Sequence, residues 1–319
     1  MAMKLLIKAR VAAICQETPR IRRYRLEPVS RAVFPQAAAG DHTILVLPNG
    51  MRRAYSLCGD PADASVWEIA VLREESGLGG SRCLHDEVGA GDALFVSWPQ
   101  PGLAIAPDAS RHILIAGGIG VTPFMAMLPE LERRGADYML HMCARSRAEL
   151  PFREELENLE RKGRARLSLA DNAKGRLDLA AVVATAGENA DIYCCGPIRM
   201  IDGFVAATAM HDPSRIHSER FTGLSAAEAS QGEPFTIRLG RDGPRLQVPA
   251  NRSMLAVLRE AGVMIDALCE GGACGTCKVR FLEGEPIHRD FCLKPTERAD
   301  IVMACVSRGN GELVIAAMP

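Results

Sequence analysis

The sequence predicts a multidomain protein: an antiparallel β barrel, then an α/β domain with a parallel sheet, then a small α+β domain. The chain has 319 residues, about twice the 150 residues of a typical domain. Near residue 103, short β segments between turns give way to apolar strands that alternate with helical segments. A third pattern, rich in cysteine and glycine, follows residue 234. We therefore expect domains at residues 1–103, 104–222 and 234–319, joined by a linker at residues 223–233.

The first domain is predicted from the regular spacing of its β segments. We expect strands at residues 21–26, 42–47, 67–72 and 94–97, with a Pro-Asn-Gly turn after the second of them. Short strands separated by turns at this spacing are typical of a small antiparallel barrel.

The second domain is predicted from alternating strands and helices. The expected strands are residues 112–116, 138–143, 166–169 and 191–195, and the expected helices are residues 123–134, 150–162, 179–186 and 197–210. This alternation predicts a parallel sheet covered by helices. Pro129 would stand inside the first helix, where proline removes a backbone hydrogen bond and costs about 3 kcal/mol. We expect a kink or an early end of the helix there.

The last part of the chain begins with a segment of linker-like composition. Residues 223–233 are rich in Ser, Ala, Gly and Glu, which predicts a linker. After it we expect a hairpin from residues 235–239 and 246–249, a helix at residues 254–261 and a strand at residues 278–283. The remaining length suits one small domain.

Four cysteines of this last domain have the spacing of metal ligands. Cys269, Cys274, Cys277 and Cys305 follow C-x4-C-x2-C with a distant fourth cysteine, the plant-type ferredoxin spacing of a 2Fe-2S cluster. A structural zinc site is the alternative, because four thiolates also suit zinc. Zinc cysteines usually come as two C-x-x-C pairs, whereas three of these lie in one glycine-rich loop. The spacing therefore favours a 2Fe-2S cluster and electron transfer.

Charge and cysteine content limit the partners and the compartment. The 38 basic and 39 acidic residues are nearly balanced, so we expect binding neither to nucleic acid nor to a membrane surface. The 11 cysteines are odd in number and spread along the chain, unlike a disulfide framework. No signal peptide or apolar run of about 18 residues is visible. These observations predict a soluble, cytoplasmic protein.

Two motifs of the barrel offer groups that a flavin needs. Arg53, Ala54, Tyr55 and Ser56 end a predicted strand and supply a cation, an aromatic face and a hydroxyl. An ordinary surface strand is the alternative. Further on, Gly79, Gly80 and Ser81 open a predicted helix, where backbone N–H groups can bind a phosphate. A flexible hairpin tip would be equally rich in glycine.

Two glycine-containing junctions follow strands of the α/β domain. Gly117-Gly118-Ile119-Gly120-Val121-Thr122-Pro123 departs from the G-x-G-x-x-G dinucleotide motif, and a tight structural turn is its alternative interpretation. Cys194-Cys195-Gly196-Pro197 ends another strand. Both junctions should lie at the carboxyl edge of the sheet, where ligands bind in such domains.

The ordered set R-x-Y-S-L, G-G-S, A-G-G-I-G-V-T-P, C-C-G-P and C-x4-C-x2-C…C resembles the phthalate dioxygenase reductase family, which includes vanillate demethylase reductases. The resemblance implies a β-barrel flavin domain, a nicotinamide domain and a plant-type ferredoxin domain of β-grasp fold. The sequence departs from the family pattern at residues 99–103, where Pro-Gln-Pro-Gly-Leu replaces an Asn-Leu-Phe-type stretch.

The resemblance also implies roles for individual residues. At the flavin it places Arg53, Ala54, Tyr55 and Ser56, with Gly79, Gly80 and Ser81 at the phosphate and the backbone of Val71, Leu72 and Arg73 along the rings. At the nicotinamide nucleotide it places Gly118, Gly120, Thr122, Cys195 and Gly196. Phe221 would cover the flavin, although an ordinary buried phenylalanine is the alternative. Cys195, Ser56 and Phe221 are the residues expected beside the reacting rings.

The function implied by the resemblance is electron transfer from NADH through FMN and the 2Fe-2S cluster to a Rieske-type oxygenase that oxidises or demethylates an aromatic or related compound. NADPH is the alternative coenzyme, since Arg145 and Arg147 could hold its 2′-phosphate, and FAD is the alternative flavin. A P450 or another iron protein is the alternative acceptor. A non-catalytic redox carrier or sensor is the alternative outside the enzymes.

Overall fold

The computed structural model describes residues 6–171, 177–187, 189–221 and 223–316. It divides into two compact units, a larger one that contains most residues up to Arg220 and a smaller one that contains the chain from Phe221 onward. The larger unit holds two sheets and the smaller unit holds one.

The first sheet is an antiparallel barrel, as predicted. Its strands are β1 (Leu6–Thr18), β2 (Ile21–Pro28), β3 (His42–Val46), β4 (Arg52–Ser56), β5 (Trp67–Leu72) and β6 (Ala93–Ser97), in the order β4-β3-β6-β1-β2-β5. A bridge between Leu57 and Ile69 joins the two edge strands. Inside, the rings of Phe34 and Trp67 stack with centroids 4.1 Å apart. Helix α1 (Gly80–Glu87) lies between β5 and β6 along the chain.

The second sheet is parallel and carries helices, which confirms the predicted α/β class. Its strands are β7 (Arg111–Gly117), β8 (Tyr138–Ala144), β9 (Ala165–Leu169), β10 (Ala190–Cys195) and β11 (Ile216–Glu219), in the order β11-β10-β7-β8-β9. The helices are α2 (Thr122–Arg133), α3 (Arg153–Arg161), α4 (Leu179–Ala184) and α5 (Ile198–Ala207). Every residue of β10 is buried, as expected for a strand covered on both faces.

The early helix end expected at Pro129 is wrong, because α2 runs through this residue to Arg133. Leu128 and Leu131 on either side are buried in the domain. After the proline, Glu130 forms ion pairs with Arg133 at 2.9 Å and with Arg134 at 2.8 Å. Burial of the apolar side chains and these pairs together offset the loss of one backbone hydrogen bond.

A buried carboxylate and an arginine join the barrel to the α/β domain within the larger unit. Arg23 of β2 lies 2.8 Å from Glu17 and 3.2 Å from Glu155 of α3. Its guanidinium also lies 5.1 Å above the ring of Phe152. The second oxygen of Glu17 accepts a 2.8 Å hydrogen bond from the backbone N–H of Phe152. Phe152 has a positive φ of 51°, a strained conformation that these contacts hold in place.

The third sheet is mixed, and its topology fits the predicted β-grasp domain. Its strands are β12 (Phe235–Leu239), β13 (Arg245–Val248), β14 (Lys278–Ile287), β15 (Ile301–Met303) and β16 (Arg308–Ile315), in the order β13-β12-β16-β14-β15. Only β12 and β16 pair in parallel. Helix α7 (Met254–Glu260) contributes four buried apolar side chains to the core beneath this sheet.

The segment predicted as a linker is partly ordered on the third domain. It contains helix α6 (Ala226–Ser230), which begins with a capping box between Ser225 and Glu228. Ala229 is buried in the core of the domain. At the C-terminal end of α6, the Arg289 guanidinium donates to the carbonyl oxygens of Glu228 and Gln231 at 2.7 and 2.6 Å. Composition alone predicted none of these contacts.

Candidate functional site

The two barrel motifs meet at the beginning of α1. A methyl group built at Gly80 would lie 2.8 Å from Cγ and 2.9 Å from Nε of Arg53, so only glycine allows the side chain of Arg53 to pass this close. Gly79, the N-cap residue of α1, has a positive φ of 91°, which favours glycine. The structure therefore brings the end of β4 and the glycine turn together.

Two hydrogen bonds hold α1 against the end of β5. A ring nitrogen of His85 lies 2.9 Å from the carbonyl oxygen of Val71, and the Ser81 hydroxyl accepts from the backbone N–H of Glu74 at 3.0 Å. Burial lowers the pKa of His85, so its ring stays neutral at pH 7. Sequence reasoning missed His85 as a positioning residue, since no motif marks its contact with Val71.

The side chains predicted to hold the flavin differ in exposure. Along β4, Arg53 and Tyr55 on one face are half-buried, whereas on the other face Ala54 is exposed and Ser56 is buried. Burial raises the pKa of Tyr55, so its phenol remains a neutral hydrogen-bond donor.

At the end of β5, two of the backbone groups expected along the flavin rings already have partners. The Val71 carbonyl bonds to His85, and the Arg73 N–H donates to the Arg20 carbonyl at 2.8 Å. The Arg73 side chain pairs with Asp86 and, at 2.7 Å, with Glu75.

The two glycine junctions of the α/β domain lie in contact at the carboxyl edge of the parallel sheet. Strands β7 and β10 are neighbours, with Ala116 opposite Cys195. A methyl group at Gly120 would lie 2.2 Å from the carbonyl oxygen of Cys195 and 2.8 Å from the backbone nitrogen of Gly196. Gly118 has a positive φ of 56° and open space on its side-chain face. Gly120 therefore serves packing of the two loops, while Gly118 borders space that a ligand can enter.

Thr122 and Cys195 are both buried at this edge. The Thr122 hydroxyl donates to the carbonyl oxygen of Ile119 at 3.0 Å, so it stabilises the turn itself. Cys195 is fully buried, and burial raises the pKa of its thiol well above the usual value. A neutral thiol is a weak nucleophile, and this environment does not suit Cys195 for covalent catalysis.

Sequence reasoning also missed Glu219, which stands opposite Cys195 in the pairing of β10 with β11. Burial raises the pKa of its carboxyl group to about 7. Among the described residues, nothing donates a hydrogen bond to its Oε2. Phe221, the aromatic residue predicted to cover the flavin, follows two positions later and is half-buried.

The four predicted metal ligands form two pairs. Within the first pair, a hydrogen bond from the Cys269 thiol lowers the pKa of Cys274 to about 5. Within the second pair, a hydrogen bond from Cys305 lowers the pKa of Cys277. Across the described residues, no three such side chains are close enough to share one metal ion. Two pairs of thiolates fit the two iron ions of a 2Fe-2S cluster.

The backbone of the cysteine loop, residues 269–277, is shaped around its sulfur atoms. The N–H groups of Gly271 and Cys274 point at the Cys269 sulfur from 3.5 and 3.3 Å. Gly272 and Gly275 have positive φ angles of 80° and 73°. Such donors stabilise the negative charge of a thiolate-ligated cluster. The residues present therefore fit the predicted cluster.

Comparisons with known proteins agree with this geometry. The 2Fe-2S iron-sulfur cluster binding domain matches residues 237–308, and the oxidoreductase NAD-binding domain matches residues 114–206. The beta subunit of the heme-dependent oxidative N-demethylase of Ectopseudomonas mendocina is 41% identical over 98% of this chain and 99% of its own length. The solved structure of phthalate dioxygenase reductase, a modular structure for electron transfer from pyridine nucleotides to 2Fe-2S, is 33% identical with a TM-score of 0.78 and covers 98% of both chains.

The chain belongs to the phthalate dioxygenase reductase family. It is therefore an oxidoreductase of the kind that serves oxygenase systems. The predicted family, fold class and enzyme class are confirmed, and so is the cofactor set of FMN, NADH and a 2Fe-2S cluster. None of the described helices combines the length and the apolar character needed to span a bilayer.

A second solved structure adds a relationship that the motifs did not reveal. An intact type IV self-sufficient cytochrome P450 monooxygenase is 33% identical with a TM-score of 0.79, covering 97% of this chain and 41% of that longer chain. This chain is therefore similar to a part of that P450 monooxygenase.

Proposed function

We propose that this reductase oxidises NADH and delivers the electrons through FMN and a 2Fe-2S cluster to a separate Rieske-type oxygenase. The cluster would be held by Cys269, Cys274, Cys277 and Cys305. The oxygenase would oxidise or demethylate an aromatic or related compound. The four cysteines carry this proposal, because the N–H groups of their loop point at the Cys269 sulfur and the chain is similar over 98% of its length to phthalate dioxygenase reductase. Bound flavin would accept a hydride and release electrons singly, as a one-electron acceptor requires.

In the barrel, the beginning of α1 would hold the flavin phosphate. The N–H groups of Gly80 and Ser81 open the helix, and the Arg53 side chain lies against Gly80. Together they offer positive charge and aligned donors to an anion. Tyr55 would pack on the flavin and Ser56 would lie near its reacting edge. FMN rather than FAD fits this compact arrangement, with one phosphate at one helix N-terminus.

In the α/β domain, the backbone at Gly118 and Gly120 would hold the pyrophosphate of the nucleotide. Cys195, neutral and buried, would position the nicotinamide ring by packing, and Gly196 would let the ring approach the second loop. Phe221 would cover the flavin, as the family resemblance implies. These roles rest on the contact between the two loops and on the family resemblance.

The arginines after β8 support NADH as the coenzyme. Nη2 of Arg147 lies 2.6 Å from Oε1 of Glu157 in α3. A guanidinium paired in this way has less charge to offer the 2′-phosphate of NADPH. Arg145 is exposed, and one solvated arginine is a weaker phosphate site than two.

The structure also bears on the proposed extents of the modules and on the compartment. Residues 1–103 would form the flavin module and residues 104–222 the nicotinamide module. Because Ala229 of α6 packs in the core of the third domain and Arg289 donates to the carbonyl of Gln231 just after α6, we place the start of the ferredoxin module at residue 223 instead of 234. None of the 11 cysteines forms a disulfide, which supports a reducing cytoplasm.

A heme protein is the second candidate for the acceptor. The 41% identical relative is a subunit of a heme-dependent demethylase, and the P450 monooxygenase contains a similar module. Pairing of the purified reductase with a Rieske oxygenase and with a P450 in NADH-driven turnover would separate the two candidates.

The proposed relay is tested first by anaerobic titration of the purified protein with NADH while its visible spectrum is recorded. We expect bleaching of both flavin and iron-sulfur absorption at stoichiometric NADH, with one FMN and two iron atoms per chain by chemical analysis. Bleaching by NADPH alone would overturn the coenzyme assignment. If neither coenzyme bleached the spectrum, the protein would be a non-catalytic carrier or sensor and the proposed function would be wrong.

A further inference from the structure

A carboxylate that no motif marks is buried next to the cysteine loop. Asp290 follows β14, and its side chain is fully buried, at 0% exposure. Its Oδ2 accepts from the Leu293 N–H at 3.0 Å and lies 3.5 Å from Nη2 of Arg298. Its Oδ1 accepts no hydrogen bond from the described residues, and Nδ1 of His288 lies 3.6 Å from it. A buried carboxylate with one unbonded oxygen is costly and calls for an explanation.

The backbone around Asp290 packs directly on the loop that carries three of the cluster ligands. The N–H of Phe291 donates to the Gly272 carbonyl at 3.0 Å. A methyl group at Gly272 would lie 3.2 Å from the Cα of Asp290. One at Gly275 would lie 4.0 Å from the sulfur of Cys292. Segment 290–292 thus covers Gly272 and Gly275, which stand between Cys269 and Cys277 in the sequence.

We propose that the carboxylate of Asp290 lowers the reduction potential of the cluster. Reduction adds a negative charge to the cluster, and a fixed negative charge in a low-dielectric environment opposes that addition. Arg298 is the counter-charge, but its side chain is 41% exposed, so solvent screens it more than Asp290. The imidazole of His288, whose Nδ1 lies 3.6 Å from Oδ1, adds positive charge only when it is protonated. When that ring is neutral, the net charge that Asp290 and Arg298 present to the cluster is therefore negative.

Isosteric replacement separates this electrostatic role from a structural one. In Asp290→Asn a side-chain oxygen can still accept from Leu293, and Arg298 can still donate to the backbone carbonyl of residue 290, now at 3.1 Å. The variant removes charge with little change of shape. Arg298→Gln removes the opposite charge. An electrostatic role requires shifts of opposite sign in the two variants, whereas a role in packing does not.

The experiment is a redox titration of the full-length holoprotein followed by electron paramagnetic resonance of the reduced cluster. We expect Asp290→Asn to shift the electron equilibrium about tenfold toward the cluster, an increase of about 59 mV for a one-electron couple. Arg298→Gln should give a smaller decrease. Glu285→Gln, which removes an exposed carboxylate of β14, is the matched control and should leave the potential unchanged.

Iron content and the resonance line shape of each variant are measured before its potential. The same potential in Asp290→Asn and the wild type, or shifts of one sign in both charge variants, would overturn the proposal. If Asp290→Asn failed to assemble a cluster, the test would rest on Arg298→Gln. An unchanged or raised cluster potential in Arg298→Gln would then refute the proposal. The proposal rests on ligation of the cluster by the four cysteines. If that ligation were wrong, the wild type itself would contain no cluster, whereas failure of the present proposal would show only in the reduction potentials of the variants.

Discussion

The backbone N–H of Leu224 donates to the carbonyl oxygen of Gly271 at 2.9 Å. The residues that open the third domain are therefore hydrogen-bonded to the cysteine loop itself. At Gly223 the approach is so close that a methyl group would lie 1.9 Å from the same carbonyl oxygen. The integrity of the cluster site thus depends on a glycine about fifty residues away in sequence.

Gly223→Ala should disturb the cysteine loop. The added methyl group must displace the Gly271 carbonyl, and overpacking of this kind costs about 1–3 kcal/mol. We expect less iron per chain and a weaker iron-sulfur absorption, with flavin content unchanged. Gly59→Ala is the control, because a methyl group there meets only ordinary contacts of 3.5 Å or more. Full iron content in Gly223→Ala would contradict the argument.

Cys277→Ser should abolish cluster assembly and, with it, reduction of cytochrome c. Oxidation of NADH by ferricyanide should continue, provided that ferricyanide draws electrons from the flavin directly. Cys292→Ser is the matched control, since Cys292 is half-buried beside the loop without belonging to either cysteine pair. Loss of iron in Cys292→Ser with retention in Cys277→Ser would show that the ligand assignment is wrong.

Gly80→Ala should weaken flavin binding. Its methyl group would meet the Arg53 side chain at 2.8 Å and push the guanidinium away from the beginning of α1. We expect the dissociation constant for FMN to rise about tenfold, which is about 1.4 kcal/mol, in a fluorescence titration of the flavin-free protein. Gly89→Ala, where the nearest atom is 3.6 Å away, should bind FMN as the wild type does. Tyr55→Ala should likewise lower flavin occupancy.

Glu219 should make the protein less stable as the pH rises from 4.5 to about 7. Burial raises its pKa from 4.5 to about 7, so between these values the folded state binds more protons than the unfolded state and stability falls with increasing pH. Glu219→Gln should therefore melt at a higher temperature than the wild type at pH 8 and show little advantage at pH 4.5. The measurement is thermal denaturation across this range. The exposed Glu149→Gln should show no such pH-dependent difference.

Arg23→Gln should loosen the attachment of the barrel to the α/β domain. It removes the contacts with Glu17 and Glu155 at 2.8 and 3.2 Å, worth about 1.5–3 kcal/mol for hydrogen bonds to charged groups. Since hydride transfer depends on the relative position of the two bound rings, stopped-flow reduction of the flavin by NADH should slow severalfold. The reduction potential of the cluster should stay unchanged. The exposed Arg10→Gln, which breaks one surface ion pair, is the control.

The sequence predicted those parts of the site that lie within contiguous motifs. The cysteine spacing predicted four ligands of one cluster, and the glycine junctions after β7 and β10 were expected at one sheet edge, where Gly120 contacts Cys195. The end of α2 was predicted wrongly from the local effect of Pro129, because burial of the neighbouring apolar side chains keeps the helix intact through this residue. His85, Glu219 and Asp290 were not anticipated as parts of a site, since each acts through burial or a contact distant in sequence. No local pattern encodes such contacts.

The hydrogen bonds of Arg308 in β16 determine at which residue an isolated ferredoxin fragment can begin. Its buried guanidinium donates to the carbonyl oxygens of Glu233, Pro249 and Arg252 at 2.7, 3.0 and 2.6 Å. A fragment that starts at residue 234, as composition suggests, lacks the first of these acceptors and the whole of α6, and it leaves a buried cation short of one partner. An isolated ferredoxin domain therefore has to include the residues from 223 onward, because the segment whose composition resembles a linker is part of the domain.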